Sequence, residues 1–233
     1  MTTFEQSFDD FATRYLTGEA GHELRCRVAG LARFAEISRD QTLLVDDHIE
    51  QFVFIREGAT KLVAHASHSR DQIVAFHFAG DVVSIPARMH HSYSICALRD
   101  ATVIAFPGDR FLDIARENAG VIGRLFAASS TSLLRCREKT VTLGRKSASE
   151  RIASFLLAMA ERIGTPVERG ISLDLPMSRR DIADSLGLTI ETVSRQLTLL
   201  REQSLIETVG RSGILLLDPN RLEDCAGYLS AAA

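Results

Sequence analysis

The run Met177-Ser178-Arg179-Arg180-Asp181-Ile182-Ala183-Asp184-Ser185-Leu186-Gly187-Leu188-Thr189-Ile190-Glu191-Thr192-Val193-Ser194-Arg195-Gln196-Leu197 constrains what this chain can fold into more than any other stretch. Ile182, Ala183 and Leu186 recur at helical spacing, and the pattern stops at Gly187, a residue that terminates helices readily. Thr189 is placed to cap a second helix, over 189–203. That helix puts Val193, Leu197 and Leu200 on one face and leaves Glu191, Thr192, Ser194 and Arg195 on the other. Two short helices joined by a Gly-containing turn, the second apolar inside and polar outside, form a helix-turn-helix.

Helical hairpins of this kind also occur as plain architecture inside bundles, so the polar face has to decide. Arg195 can donate twice to guanine, Glu191 can accept from a cytosine amino group, and Ser194 or Thr192 can meet a thymine methyl or a phosphate. Downstream, Leu205-Ile206-Glu207-Thr208-Val209, Gly210-Arg211-Ser212-Gly213 and Ile214-Leu215-Leu216-Leu217 read as a hairpin with a basic tip. A hairpin after the second helix is a wing, and the segment reads as a winged helix-turn-helix that binds DNA.

The segment from Ser178-Arg179-Arg180-Asp181-Ile182 to Glu191-Thr192-Val193-Ser194-Arg195 resembles the DNA-binding part of the Crp/Fnr superfamily of bacterial transcription regulators. Leu199-Leu200, Leu205-Ile206 and Gly210-Arg211 keep the expected spacing. The Glu-x-x-Ser-Arg on the second helix is similar to the Fnr/FixK branch and not to the cyclic-AMP receptor branch. No Ser-His-Asp spacing, phosphate loop or paired ligand motif points to an enzyme, and the likeness implies a transcription regulator, activating, repressing or both, on a half-site of the TTGA…TCAA kind arranged as an inverted repeat. Its implied partners are double-stranded DNA, a second copy of the chain and RNA polymerase. Within it, Glu191, Ser194 and Arg195 are assigned to bases, and Ser178, Arg179, Thr189, Thr192 and Arg211 to the DNA backbone.

Charge supplies no global attraction to nucleic acid. With a net charge of −3, contact must come from a local cluster such as Arg179, Arg180, Arg195 and Arg211. The 233 residues, 45% of them apolar, suffice for two domains, and no stretch approaches membrane-spanning length, so a cytoplasmic protein is expected. Cys26, Cys96, Cys136 and Cys225 lie far apart and form no metal-type pair, so no metal site is expected. Oxygen-sensing Fnr proteins cluster cysteines near the N-terminus; here only Cys26 lies in that region, which argues against an iron–sulfur centre. Cys136, flanked by Arg135 and Arg137, is the candidate redox thiol.

Residues 4–38 read as helical, with Phe4, Phe8, Phe11 and Tyr15 as a packed stripe. From about Leu43 the period shortens. The runs 51–58, 61–65, 71–78 and 102–106 are rich in β-branched and aromatic residues, as in an antiparallel roll or barrel. Phe78-Ala79-Gly80-Asp81-Val82-Val83 resembles the turn-and-strand step of the cyclic-nucleotide-binding roll. Nucleotide-binding relatives follow that step with a Gly-Glu-Leu and later an Arg-Ser; this chain has Val83-Ser84-Ile85-Pro86 and Ser92-Tyr93-Ser94. A buried phosphate without its guanidinium is poorly compensated, which argues against cyclic AMP. His65, His68, His77, His90 and His91 are the residues that can ligate haem, with nothing in their spacing that requires it.

After Pro107-Gly108 the helical period returns, with Asp109 as cap and a run of close to thirty residues to about Lys139. Such length suggests a shared coiled-coil seam, and the family likeness implies a two-fold interface there. The hinge is expected at 140–146. The expected fold class is α+β: residues 1–139 form an antiparallel, cyclic-nucleotide-binding-like β-roll with a dimerisation helix at about 109–139, and residues 140–233 form the winged helix-turn-helix. The competing readings are an effector-dependent sensor of the same fold, using haem and nitric oxide or a redox thiol, and a small-molecule-binding module.

Overall fold

In the computed structural model, residues 3–16, 21–66, 70–88 and 91–227 are described, and the chain divides into two compact units, Met1–Leu134 and Arg135–Ala233.

The first unit opens with helices α1 (Thr3–Tyr15) and α2 (His22–Ala29). Strand β1 (Arg33–Ile37) follows, then β2 (Gln51–Ala66), β3 (Arg70–Phe78), β4 (Val82–Ile85) and β5 (Ser92–Pro107). All pairings are antiparallel, in the order β1-β5-β2-β3, with β4 added to β2. The paired centre of this sheet is apolar on both faces because both are covered. Phe54, Ile104 and Phe106 point to the helices, while Val53, Ile55, Val103 and Ala105, one residue out of phase, fill the interior of the roll. On the helical side, Phe11 stacks on Tyr15 at a centroid distance of 5.5 Å, meets Phe54 edge-on at 5.5 Å, and tilts against Phe106 and Phe111 at 4.7 and 6.0 Å.

Several expectations change here. Residues 4–38 are not helical throughout: Arg33–Ile37 is a strand whose partner, Ala101–Ala105, is far along the chain. The separate runs 51–58 and 61–65 are one strand that passes through register shifts around Glu57 and Gly58. Gly58 makes this passage possible, since its φ of +85° and a Cβ position 2.2 Å from the Asp100 carbonyl oxygen both exclude a side chain. The long helix is interrupted, forming α3 (Gly108–Ala115) and α4 (Ala119–Arg145). Pro107, not Asp109, holds the first N-cap position, while Asp109 lies in the first turn, where a carboxylate suits the helix dipole. Asn118 caps α4 by accepting from the Val121 N–H at 3.1 Å. Residues 140–145, expected as a hinge, are the last turns of α4.

The second unit continues with α5 (Ala148–Ile163), the hairpin β6 (Thr165–Val167) and β7 (Gly170–Asp174), α6 (Arg179–Leu186), α7 (Ile190–Glu202), β8 (Ile206–Val209), β9 (Gly213–Leu216) and α8 (Pro219–Ala226). Strand β6, a short partner to β7, lies outside the expected elements. Ser147 and Glu150 close a capping box at the start of α5. Ile152 and Leu156 of α5 are fully buried, and the helix packs on α7 and α8. The sheet β6-β7-β9-β8 contributes Leu173, Ile206 and Leu216 to the buried interior.

Candidate nucleic-acid interface

Each boundary of the helix-turn-helix is fixed by a local contact. Ser178 and Asp181 form a reciprocal box at the start of α6: the Asp181 N–H donates to Ser178 Oγ at 3.1 Å, and the Ser178 N–H donates to Asp181 Oδ2 at 2.8 Å. Gly187 ends the helix in the left-handed region, φ +62° and ψ +40°, where a Cβ would be strained. Thr189 then caps α7, its Oγ1 accepting from the Thr192 N–H at 3.2 Å. Ile182, Ala183, Leu186, Val193, Leu197 and Leu200 are buried, which seats both helices and presents the opposite face of α7 to solvent.

On that face Glu191 and Arg195 are exposed and Ser194 is half-buried. Hydrogen bonds from its own backbone N–H and from the Thr189 hydroxyl hold the Glu191 carboxyl below its ordinary range. Glu191 is therefore a carboxylate at neutral pH and can only accept, the polarity that a cytosine amino group requires. Arg179 of α6 donates from Nη1 to Ser194 Oγ at 3.0 Å, so a residue assigned to the backbone and one assigned to a base are joined directly. The hydroxyls of Ser178, Thr189 and Thr192, all assigned to phosphates, serve the helix ends in this structure: Ser178 and Thr189 cap, and Thr192 Oγ1 lies 3.1 Å from Thr189 Oγ1. Arg211 stands exposed at the turn between β8 and β9. That turn is anchored at its base, where Ser212 Oγ donates to Asp174 Oδ1 at 2.7 Å.

Behind the motif lies a contact with no local sequence signal. Lys139, on α4, donates from Nζ to Ser185 Oγ of α6 at 2.8 Å, across 46 residues of chain. Burial pushes the Lys139 ammonium down to about 8, with the neighbouring Cys136 acting in the opposite sense. An unfolded lysine keeps its proton to about 10.4, so between these values the unfolded state binds more protons and stability rises with pH. Below pH 8 both states are protonated and this contribution is flat. Urea unfolding from pH 7 to 10 should show that rise as the difference between the wild type and Lys139→Met; parallel profiles would contradict it.

The other expected residues fall elsewhere. Cys136 is an exposed free thiol on α4. His65 uses both ring nitrogens, Nδ1 at 3.0 Å from Asp71 Oδ1 and Nε2 at 2.7 Å from Ser94 Oγ, in a polar row across β3, β2 and β5. His77 is buried opposite Thr60 of β2, and His91 is exposed. His68 and His90 lie outside the described residues. In the two stretches expected to correspond to a nucleotide site, Val83 and Ile85 are buried, Ser84 is exposed and Tyr93 packs on the roll interior.

A β-roll followed by a long helix and a winged helix-turn-helix defines a DNA-binding regulator, and comparison with known proteins gives the lineage. A Crp-like helix-turn-helix domain matches residues 150–225, and a cyclic nucleotide-binding domain matches residues 35–118. The nitrogen fixation regulation protein FixK of Bradyrhizobium diazoefficiens is 36% identical over 197 residues, covering 84% of this chain and 83% of that protein. FixK of Rhizobium meliloti is 38% identical over 168 residues, 72% of this chain and 74% of that protein. The structure of FixK2 from Bradyrhizobium japonicum superposes with a TM-score of 0.75 at 32% identity, covering 85% of this chain and 99% of that one. The chain belongs to the Crp/Fnr family, in its FixK-like branch, and is a transcription regulator with a helix-turn-helix DNA-binding domain and not an enzyme. Among the described residues, no helix is long and apolar enough to cross a membrane.

Proposed function

We propose that the chain works in the cytoplasm as a homodimeric transcription activator that binds an inverted repeat of TTGA…TCAA type without a cyclic nucleotide or other small effector, and recruits RNA polymerase there. The solvent-facing set on α7 carries this reading. Arg195 offers two donors to guanine, Glu191 is an ionised acceptor for the cytosine side, and Ser194 lies between them, oriented by Arg179. Arg179 and Arg211 supply phosphate contacts that position without specifying.

The dimer is supported by α4. Phe126 and Leu133, seven residues apart, are 73% and 50% exposed, and Leu134 and Val141, again seven apart, are 57% and 52% exposed. A helix that leaves apolar residues in solvent at heptad spacing is suited to a second copy of itself. Phe126→Glu combined with Leu133→Glu should convert a dimer into a monomer in sedimentation velocity and abolish tight binding to the full repeat. A double variant that still sediments as a dimer would rule out α4 as the seam.

A thiol input keeps one supporting observation, the exposure of Cys136 between Leu133 and Val141 on the same helix. Unchanged DNA affinity after peroxide treatment would remove it. Haem finds less support, because both ring nitrogens of His65 are already engaged.

A further inference from the structure

We infer that Arg151 is a positioning residue that locks the helix-turn-helix to the end of the long helix α4, and that through this lock the regulator selects the spacing between its two half-sites. The inference rests on the dimer and inverted-repeat reading above.

Arg151 lies on the first turn of α5, yet its guanidinium serves other helices. Nε donates to the Lys146 carbonyl, Nη2 to the Leu143 carbonyl and Nη1 to the Leu186 carbonyl, each at 2.9 Å. Leu143 lies in the last turn of α4, Lys146 directly follows the last residue of that helix, Arg145, and Leu186 is the last residue of α6, directly before the turn at Gly187. Carbonyls at helix C-termini have no partner within their own helix, so one cation satisfies three acceptors that would otherwise rely on water. The lock also depends on shape. Three separate nitrogens of a planar fork each meet a different carbonyl, a geometry that the single nitrogen of lysine does not reproduce.

A second tie acts in parallel. Lys139 Nζ donates to Ser185 Oγ of α6 at 2.8 Å, and Lys139 and Leu143, four residues apart, share one face of α4. Residues 135–145 accordingly fall in the same compact unit as the helix-turn-helix. Through α6, which packs on the recognition helix α7, these ties make the last three turns of α4 a lever for that helix. If two copies join along α4, the lever fixes where each recognition helix points. One added base pair moves a half-site by about 3.4 Å along the duplex and rotates it by about a tenth of a turn, so a stiff lever fits one spacing and a loose one fits several.

The test uses the full-length protein on a single half-site and on a series of TTGA…TCAA duplexes whose central spacer differs by one and two base pairs either way. Circular dichroism and thermal melting verify the fold of each variant. The wild type should bind one spacing about tenfold or more tighter than its neighbours, a difference of about 1.4 kcal/mol. Arg151→Ala and Arg151→Lys should both reduce that preference to about twofold, with single half-site affinity unchanged; general loosening of the domain would weaken the half-site too. Ser185→Ala, which cuts the second tie, should lower the preference by about threefold, and carries the test if the Arg151 variants do not fold. Folded Arg151 variants that keep the wild-type spacing profile would overturn the lock. A wild type indifferent to spacing would overturn the inverted-repeat reading itself, and the lock with it.

Discussion

Arg195→Ala is expected to weaken binding to a TTGA…TCAA duplex by about 1–3 kcal/mol, which is roughly 5- to 150-fold, and to relax the preference at the guanine of each half-site. Arg195 is exposed on α7, less than two turns beyond the Thr189 cap, and reaches outward because Val193 and Leu197 are buried on the other side. A bidentate contact to guanine carries discrimination, so its loss should be larger on cognate than on scrambled DNA. Arg211→Ala makes the contrast. At the wing turn it is assigned to a phosphate, and its loss should weaken all duplexes alike while reducing the slope of log affinity against log salt by about 0.9 for each protomer of the dimer. Anisotropy titrations over a salt series separate the two. Equal losses on cognate and scrambled DNA for Arg195→Ala would refute its role as a reader.

The largest loss of stability is expected from Phe11→Ala, about 3–5 kcal/mol. Phe11 is almost fully buried, with the rings of Tyr15, Phe54, Phe106 and Phe111 within 6.0 Å of its centroid. Removing it leaves a cavity between α1 and the sheet that aromatic neighbours, fixed on strands and helices, fill only in part. Because the cluster lies wholly in the first unit, denaturant unfolding should show the β-roll transition displaced while the DNA-binding transition stays in place. A loss below about 1 kcal/mol would mean that α1 is not an integral part of the core.

The DNA-reading half of the molecule was legible in the sequence because its signals are local. Ser178 and Asp181 cap within three residues, Gly187 takes a conformation other residues avoid, and Thr189 caps three residues before its partner. Where the outcome depends on residues distant in sequence, it was not legible. Arg33–Ile37 is a strand only because Ala101–Ala105 completes its ladder. The run to Lys139 conceals a break, since Asn118 restarts the helix with a single side-chain bond, and nothing periodic marks residues 140–145 as helix rather than hinge. The site shows the same divide. Which residues of α7 face outward follows from period alone, whereas the bond between Arg179 and Ser194, the Lys139–Ser185 tie and the three carbonyls gathered by Arg151 depend on how helices cross. His65, whose residue type can ligate haem but whose spacing does not require it, has both ring nitrogens within hydrogen-bond distance of partners on neighbouring strands, which composition could not show.

Sequence-selective binding to DNA without an added effector is measured by fluorescence anisotropy of the reduced wild type on a TTGA…TCAA duplex and on a scrambled duplex at one fixed salt concentration. Affinity for the repeat should exceed that for the scrambled sequence by a factor of about a thousand or more, as specific sites do. Equal affinity for the two duplexes would contradict the account.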